Sequence, residues 1–253
     1  LMVQANNKLI IAGSFTSFNG VSANRIMRLL PDGDIDSTWI ITGGGANHDI
    51  RGAALQPDGK VVIGGIFTTY SGVTANRLVR LDSLGSIDPA FAVGTGPNNE
   101  VQGITTNTSR VAIHGFFNQY QGNPVPRFVV LQLNGSPDPT FTPPTEPFIS
   151  VRDFKLMPNN KLYLVGNFTT YNGQTVNRIV RLNPNGSIDT TFATGSGLNS
   201  LATKLTVQAD GKVLVSGSFS TFNGTPVSQL VRIHPNGSLD TTFNPSFPSL
   251  ASV

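Results

Sequence analysis

The chain has 253 residues, 38% of them hydrophobic, 12% charged and none cysteine, which excludes a disulfide framework and any thiolate metal site. The formal charge is +3, but 13 of the 17 basic residues fall at fixed repeat positions, so no concentrated basic stripe for nucleic acid is expected. No apolar run approaches the ~20 residues of a bilayer-spanning helix, so no membrane insertion is expected either.

A basic residue recurs at Lys8, Lys60, Arg110, Lys161 and Lys212, in steps of 52, 50, 51 and 51 residues. After each comes G-x-F-x-x-[FY]-x-G, running from Gly13 to Gly20 in the first copy and from Gly217 to Gly224 in the last. Each copy closes on D-x-x-[FW], at Asp36–Trp39, Asp88–Phe91, Asp138–Phe141, Asp189–Phe192 and Asp240–Phe243. Five copies with a period of about 51 residues mark a propeller, solenoid or array.

In chain order, each unit predicts a short strand A, as in Arg51–Gln56 or Thr203–Gln208. The Asp-Gly turns at 57–60 and 209–212 then lead into strand B, as in Lys60–Phe67. A loop carrying the second aromatic precedes strand C, as in Asn177–Asn183, and Pro-Asn-Gly-Ser turns the chain into a short strand D at Ile188–Phe192. Helical periodicity is absent. A four-stranded meander cannot bury both faces alone, so the units must stack. The pattern predicts an all-β chain, a five-bladed β-propeller with four antiparallel strands per blade, as a single domain over 1–253. The tail Ser249–Val253 runs in pattern into Leu1–Lys8, which predicts a closed ring; a fragment of a longer array is the rival reading.

The strings GNFTTYNG at 166–173, NRIVRLNPNGSID at 177–189 and DTTF at 189–192, with their copies, resemble the delta-60 repeat family over essentially the whole chain. The resemblance implies a propeller in a large exported bacterial protein, at the cell surface or secreted, and no particular activity. Unit three departs most: Val130 replaces an arginine, Pro137 an isoleucine, and Asn107-Thr108-Ser109 the Asp-Gly turn.

Repetition argues against catalysis by the closing Asp of each unit. Those five residues are expected to cap turns or pair with strand C arginines, and Asp189→Ala to cost about 1–3 kcal/mol. The acids of Asp32-Gly33-Asp34-Ile35-Asp36 imitate a calcium loop but lack its remaining oxygen ligands. No metal site or cofactor is predicted. Binding is expected where the repeat breaks, at the heads of strand A and in the loops beside them. Candidates are Asp49, Arg51, Glu100, Arg152, Asp153 and Lys155, with Lys204 and His48 nearby. The glycine-rich 43–45, the proline-rich Thr142–Phe148 and the loop aromatics Tyr70, Tyr120 and Tyr171 share that face. The aromatics suit surface contact or packing between blades. The expected role is a non-catalytic recognition or spacer module, taking a protein or glycan at the bacterial cell surface beside neighbouring domains of the same polypeptide. An alternative is a glycoside hydrolase using Asp49, Glu100 and Asp153 as channel-mouth carboxylates.

Overall fold

A computed structural model describes residues 1–39, 41, 43–146 and 149–245. Ser249–Val253 and the last two residues of Thr142–Phe148 lie outside the described residues. The described chain is all-β and contains no helix. It forms two compact units, Leu1–Pro143 with blades one to three and Pro144–Val253 with blades four and five.

Each blade is an antiparallel ladder in which B pairs with both A and C. Strand A is Met2–Val3, Ile50–Leu55, Val101–Thr106, Val151–Leu156 and Ala202–Val207 in blades one to five. Strand B is Leu9–Ala12, Val61–Gly65, Arg110–Gly115, Leu162–Gly166 and Val213–Gly217. Strand C is Ile26–Leu29, Leu78–Leu81, Phe128–Gln132, Ile179–Leu182 and Leu230–Ile233. The expected strand D contracts to one antiparallel bridge per blade, such as Leu182 with Ile188. Asp189 then turns the chain: its carbonyl accepts from Phe192 N–H and its carboxylate from Thr191 N–H, so the ladder stops after one pair. The B–C connection, read from sequence as a loop carrying the second aromatic, forms a small hairpin of two-residue strands, as in Thr69–Tyr70 paired with Val73–Thr74.

Blades stack by one repeated join. Ile10 and Ile26 of blade one cluster with Val61, Ile63, Phe67 and Tyr70 of blade two. Val62 and Leu78 of blade two meet Val111, Ile113, Phe117 and Tyr120 of blade three. Val165 and Ile179 of blade four meet Val213, Val215, Phe219 and Phe222 of blade five. Each blade therefore has a trailing face of alternate B and C residues, and a leading face carrying the paired aromatics. Fully burying one such side chain stabilises by about 1.5–3 kcal/mol, so these joins dominate the energetics.

Two arginine classes complete the join. Strand C arginines reach the next blade's C–D turn: Arg28 Nη1 donates to Ser83 O at 2.8 Å, Arg181 Nη1 to Pro235 O at 2.7 Å, and Arg80 Nη1 to Leu133 O. The preceding arginines hold the linker. Arg25, Arg77 and Arg178 donate from Nη1 to the carbonyls of Ala46, Pro97 and Leu198. They do so from left-handed backbone, φ 70°, 63° and 70°, a conformation that costs a non-glycine residue about 1–3 kcal/mol.

Candidate functional site

The repeated aspartates sit in buried networks, as their repetition implied. In blade four, Asp189 Oδ2 takes Arg181 Nε at 2.6 Å and Lys161 Nζ at 2.7 Å, while Oδ1 accepts from the Thr191 hydroxyl at 2.7 Å. Asp36, Asp88 and Asp240 carry the same arginine and lysine pair. Burial opposes ionisation at Asp36 and Asp189, but the lysine, threonine and arginine donors outweigh it and hold both carboxyls well below the usual range. The closing aromatic caps the guanidinium, with Arg181 4.9 Å from the Phe192 ring centroid.

Blade three reaches the same end by another route. Where Val130 removes the strand C arginine, Arg110 stands at the lysine position and pairs through Nε with Asp138 Oδ2 at 2.6 Å. Its Nη2 also donates to Thr140 Oγ1 at 2.7 Å. One arginine thus supplies a buried carboxylate that elsewhere needs two cations.

The heads of strand A differ in kind. From blade two onward, strand A carries a β-bulge at its second residue, between Ile50 and Gly52, Val101 and Gly103, Val151 and Asp153, and Ala202 and Lys204. A glycine permits the approach beside it: a Cβ on Gly65 would lie 2.0 Å from Asp49 O. The extra residue in each bulge is Arg51, Gln102, Arg152 or Thr203, so two candidate arginines are the residues that the bulge re-aims.

In the first unit, Arg51 joins two acids. Its Nη2 lies 3.1 Å from Asp49 Oδ2 and its Nε 3.6 Å from Glu100 Oε1, with Arg25 Nε 3.9 Å from Asp49 Oδ1. His48 Nδ1 accepts from Asp49 N–H at 2.8 Å. Phe116, 44% exposed, is rooted at the same place because its N–H donates to Glu100 O at 2.9 Å. Sequence reasoning missed Phe116. Its signal was available: the equivalent positions are Ser14, Ile66, Asn167 and Ser218, so an aromatic there breaks the repeat.

In the second unit, Arg152 and Lys155 are exposed. Asp153 is occupied by backbone: Oδ2 accepts from Leu205 N–H and Oδ1 from Phe154 N–H, both at 3.0 Å, with Lys204 Nζ at 4.0 Å. It ties strand A of blade four to strand A of blade five.

Three candidates are corrected. Tyr70, Tyr120 and Tyr171 are at most 1% exposed, and their hydroxyls donate to the carbonyls of Gly85, Gly135 and Gly186. Burial raises all three phenols. They are core, because the hairpin turns each hydroxyl inward onto the C–D turn of its own blade. The acidic run of blade one is a turn: Asp32 Oδ1 accepts from Asp34 N–H, and Asp36 belongs to its Lys8–Arg28 network. Among the described residues no group of three or more His, Cys, Asp or Glu has metal-binding geometry, and no helix is long and apolar enough to cross a membrane.

The proline-rich segment keeps a structural task in its described part. Glu146 accepts from Asn172 N–H at 2.9 Å and Gly173 N–H at 2.8 Å. In blades two, three and five a backbone carbonyl fills that place, as Gly45 O does for Ser71 N–H.

No curated protein matches the chain. Among solved structures, the computationally designed Ika8 protein is 13% identical, with 85% of this chain and 54% of that chain covered and a TM-score of 0.53. The WD40 beta propeller domain of Doa1 is 15% identical, with 85% and 60% covered and a TM-score of 0.54. This chain therefore spans little more than half the length of either. The family model described as domain of unknown function (DUF5122) beta-propeller matches residues 4–38, 56–91, 109–141, 158–192 and 208–243. Those five matches fall on the five blades and take in every Asp–Arg network, and the chain belongs to the DUF5122 beta-propeller family.

Proposed function

We propose that the chain is a non-catalytic recognition or spacer module of a large bacterial surface or secreted protein, and that it contacts a carbohydrate or a protein surface through the strand A heads of blades two and three. One observation carries this reading. The bulged Arg51 lies between Asp49 and Glu100, and the exposed Phe116, at the end of blade three's strand B, is tied to Glu100 through its backbone N–H. An exposed apolar ring anchored through its backbone to a member of a fixed charged cluster suits the faces and hydroxyls of a sugar, and equally an interface anchor with polar surroundings. Both carboxylates have a cationic partner, which favours holding a ligand over proton transfer.

The test is binding to a glycan array and to purified cell-surface proteins, comparing the native chain with Arg51→Ala and Phe116→Ala. Recognition is expected to weaken at least about tenfold in both variants, with the fold unchanged. Binding that survives both places the contact elsewhere. Turnover of a glycoside that Glu100→Gln abolishes replaces recognition with hydrolysis.

A further inference from the structure

The formal charge of +3 is carried by one unit alone. Residues 1–143 hold nine basic and nine acidic residues, whereas 144–253 hold eight and five. Five of those eight cations are committed. Lys161 and Arg181 pair with Asp189, Lys212 and Arg232 with Asp240, and Arg178 holds the linker carbonyl of Leu198. The other three, Arg152, Lys155 and Lys204, all stand on strand A of blade four or five.

One carboxylate brings them together. Asp153 Oδ2 accepts from Leu205 N–H at 3.0 Å, which ties the two A strands, and Lys204 Nζ lies 4.0 Å from the same oxygen. Arg152 is the bulged residue beside Asp153, and Lys155 follows two positions later on the same strand face. All three cations are exposed, Lys204 by 73%. Asp153 is 21% exposed and already accepts from two backbone N–H groups, so it leaves the cluster with positive charge to spare. The heads of blades two and three are the opposite case, with Arg51 set between two acids. Backbone spacing decides the difference. Asp153 and Lys204 occupy the bulge positions of Gly52 and Gly103. A Cβ on Gly52 would lie 3.0 Å from Gly103 Cα, and one on Gly103 2.3 Å from His114 Nε2, so a long charged side chain has no room there.

We propose that this cluster binds an acidic polysaccharide through the carboxylate or sulfate groups of its sugars. Arg152 offers a planar fork that matches either group, and Lys155 and Lys204 add mobile point charges. Charge selects an anion, and the rest of the surface selects a glycan. Among the described residues of 144–253 no large hydrophobic side chain is exposed. Single-stranded nucleic acid takes exposed rings for base stacking, a membrane surface takes apolar side chains that insert, and a protein partner takes an aromatic or aliphatic anchor. A chain of acidic sugars needs none of these. Thr206, exposed at the place of Lys155 in blade five, adds a hydroxyl for the sugar's own. The inference is independent of the recognition site on blades two and three.

Calorimetric titration of the native chain with heparin and with polygalacturonate, across a range of salt, tests it, with neutral dextran as the control. Binding to an acidic chain and none to dextran is expected; a preference for one of the two names the sulfate or the carboxylate as the group held. Arg152→Gln, Lys155→Gln and Lys204→Gln should each lower the slope of log affinity against log salt by about one, and the triple variant should lose binding. Circular dichroism should stay native in all four, since the side chains are exposed. Leu84→Glu, on the exposed C–D turn of blade two, changes the net charge as much as one such variant and should leave binding intact. No binding to either acidic glycan overturns the proposal, as does binding that survives the triple variant or that Leu84→Glu weakens equally. Tighter binding to single-stranded DNA or to vesicles of pure phosphatidylserine than to either glycan overturns it too.

Discussion

The Asp–Arg–Lys networks and the strand A heads are both rich in charge, yet they do opposite things. Each network buries its aspartate, recurs in every blade with one variation in blade three, and satisfies the carboxylate with several donors. The heads change from blade to blade, and Arg51 is 46% exposed. A buried carboxylate without its cations is costly, so the networks tolerate little change. An exposed pair contributes ~0–1 kcal/mol, so the heads are free to vary.

The largest expected effect breaks a network. Asp189→Ala should cost about 3–5 kcal/mol in chemical denaturation, above the 1–3 expected for a lost hydrogen bond alone, because it strands Arg181 with its guanidinium buried. Blade three sharpens the comparison. Arg110→Ala should cost about 3 kcal/mol, whereas Lys161→Ala should cost about 1, since Asp189 keeps Arg181 while Asp138 has no strand C arginine to fall back on.

Acid should break the networks as well. Asp36, Asp88 and Asp189 have carboxyls lowered in the folded chain, so their stabilisation is present above the unfolded carboxylate pKa of about 3.9. It is lost as pH falls through the folded values, which means stability should decline progressively below about pH 5. Asp189→Asn should flatten that decline in melting temperature measured against pH. Tyr171→Phe removes the bond to Gly186 O and should cost about 1 kcal/mol. The smallest effect belongs to the heads: Arg51→Ala should shift stability by less than about 0.5 kcal/mol. A large loss there would show that the heads are structural after all.

Legibility followed the same division. Repetition alone marked Asp189 and its copies as structural, because five identical catalytic sites are implausible. The Arg110 exchange was half visible, in Val130 and in the arginine among four lysines, but joining the two facts needs the strand B to strand C register that sets Ala112 opposite Val130. Tyr171 misled because a loop aromatic between polar neighbours looks exposed; the two-residue hairpin that turns it inward leaves no periodicity to read. Asp153 misled likewise, since its partner Leu205 N–H lies 52 residues away.

The sequence by itself determined the all-β class, the five units, the strand order within each and the structural standing of the closing aspartates. These follow from alternation, turn chemistry and a period, all local along the chain. Only the tertiary structure decided which charged residues are spent on backbone, which bulge re-aims Arg51, and that strand D contracts to a bridge. Burial and hydrogen-bond satisfaction depend on the neighbouring blade, about 50 residues distant, and a local pattern carries no record of whether that neighbour is present.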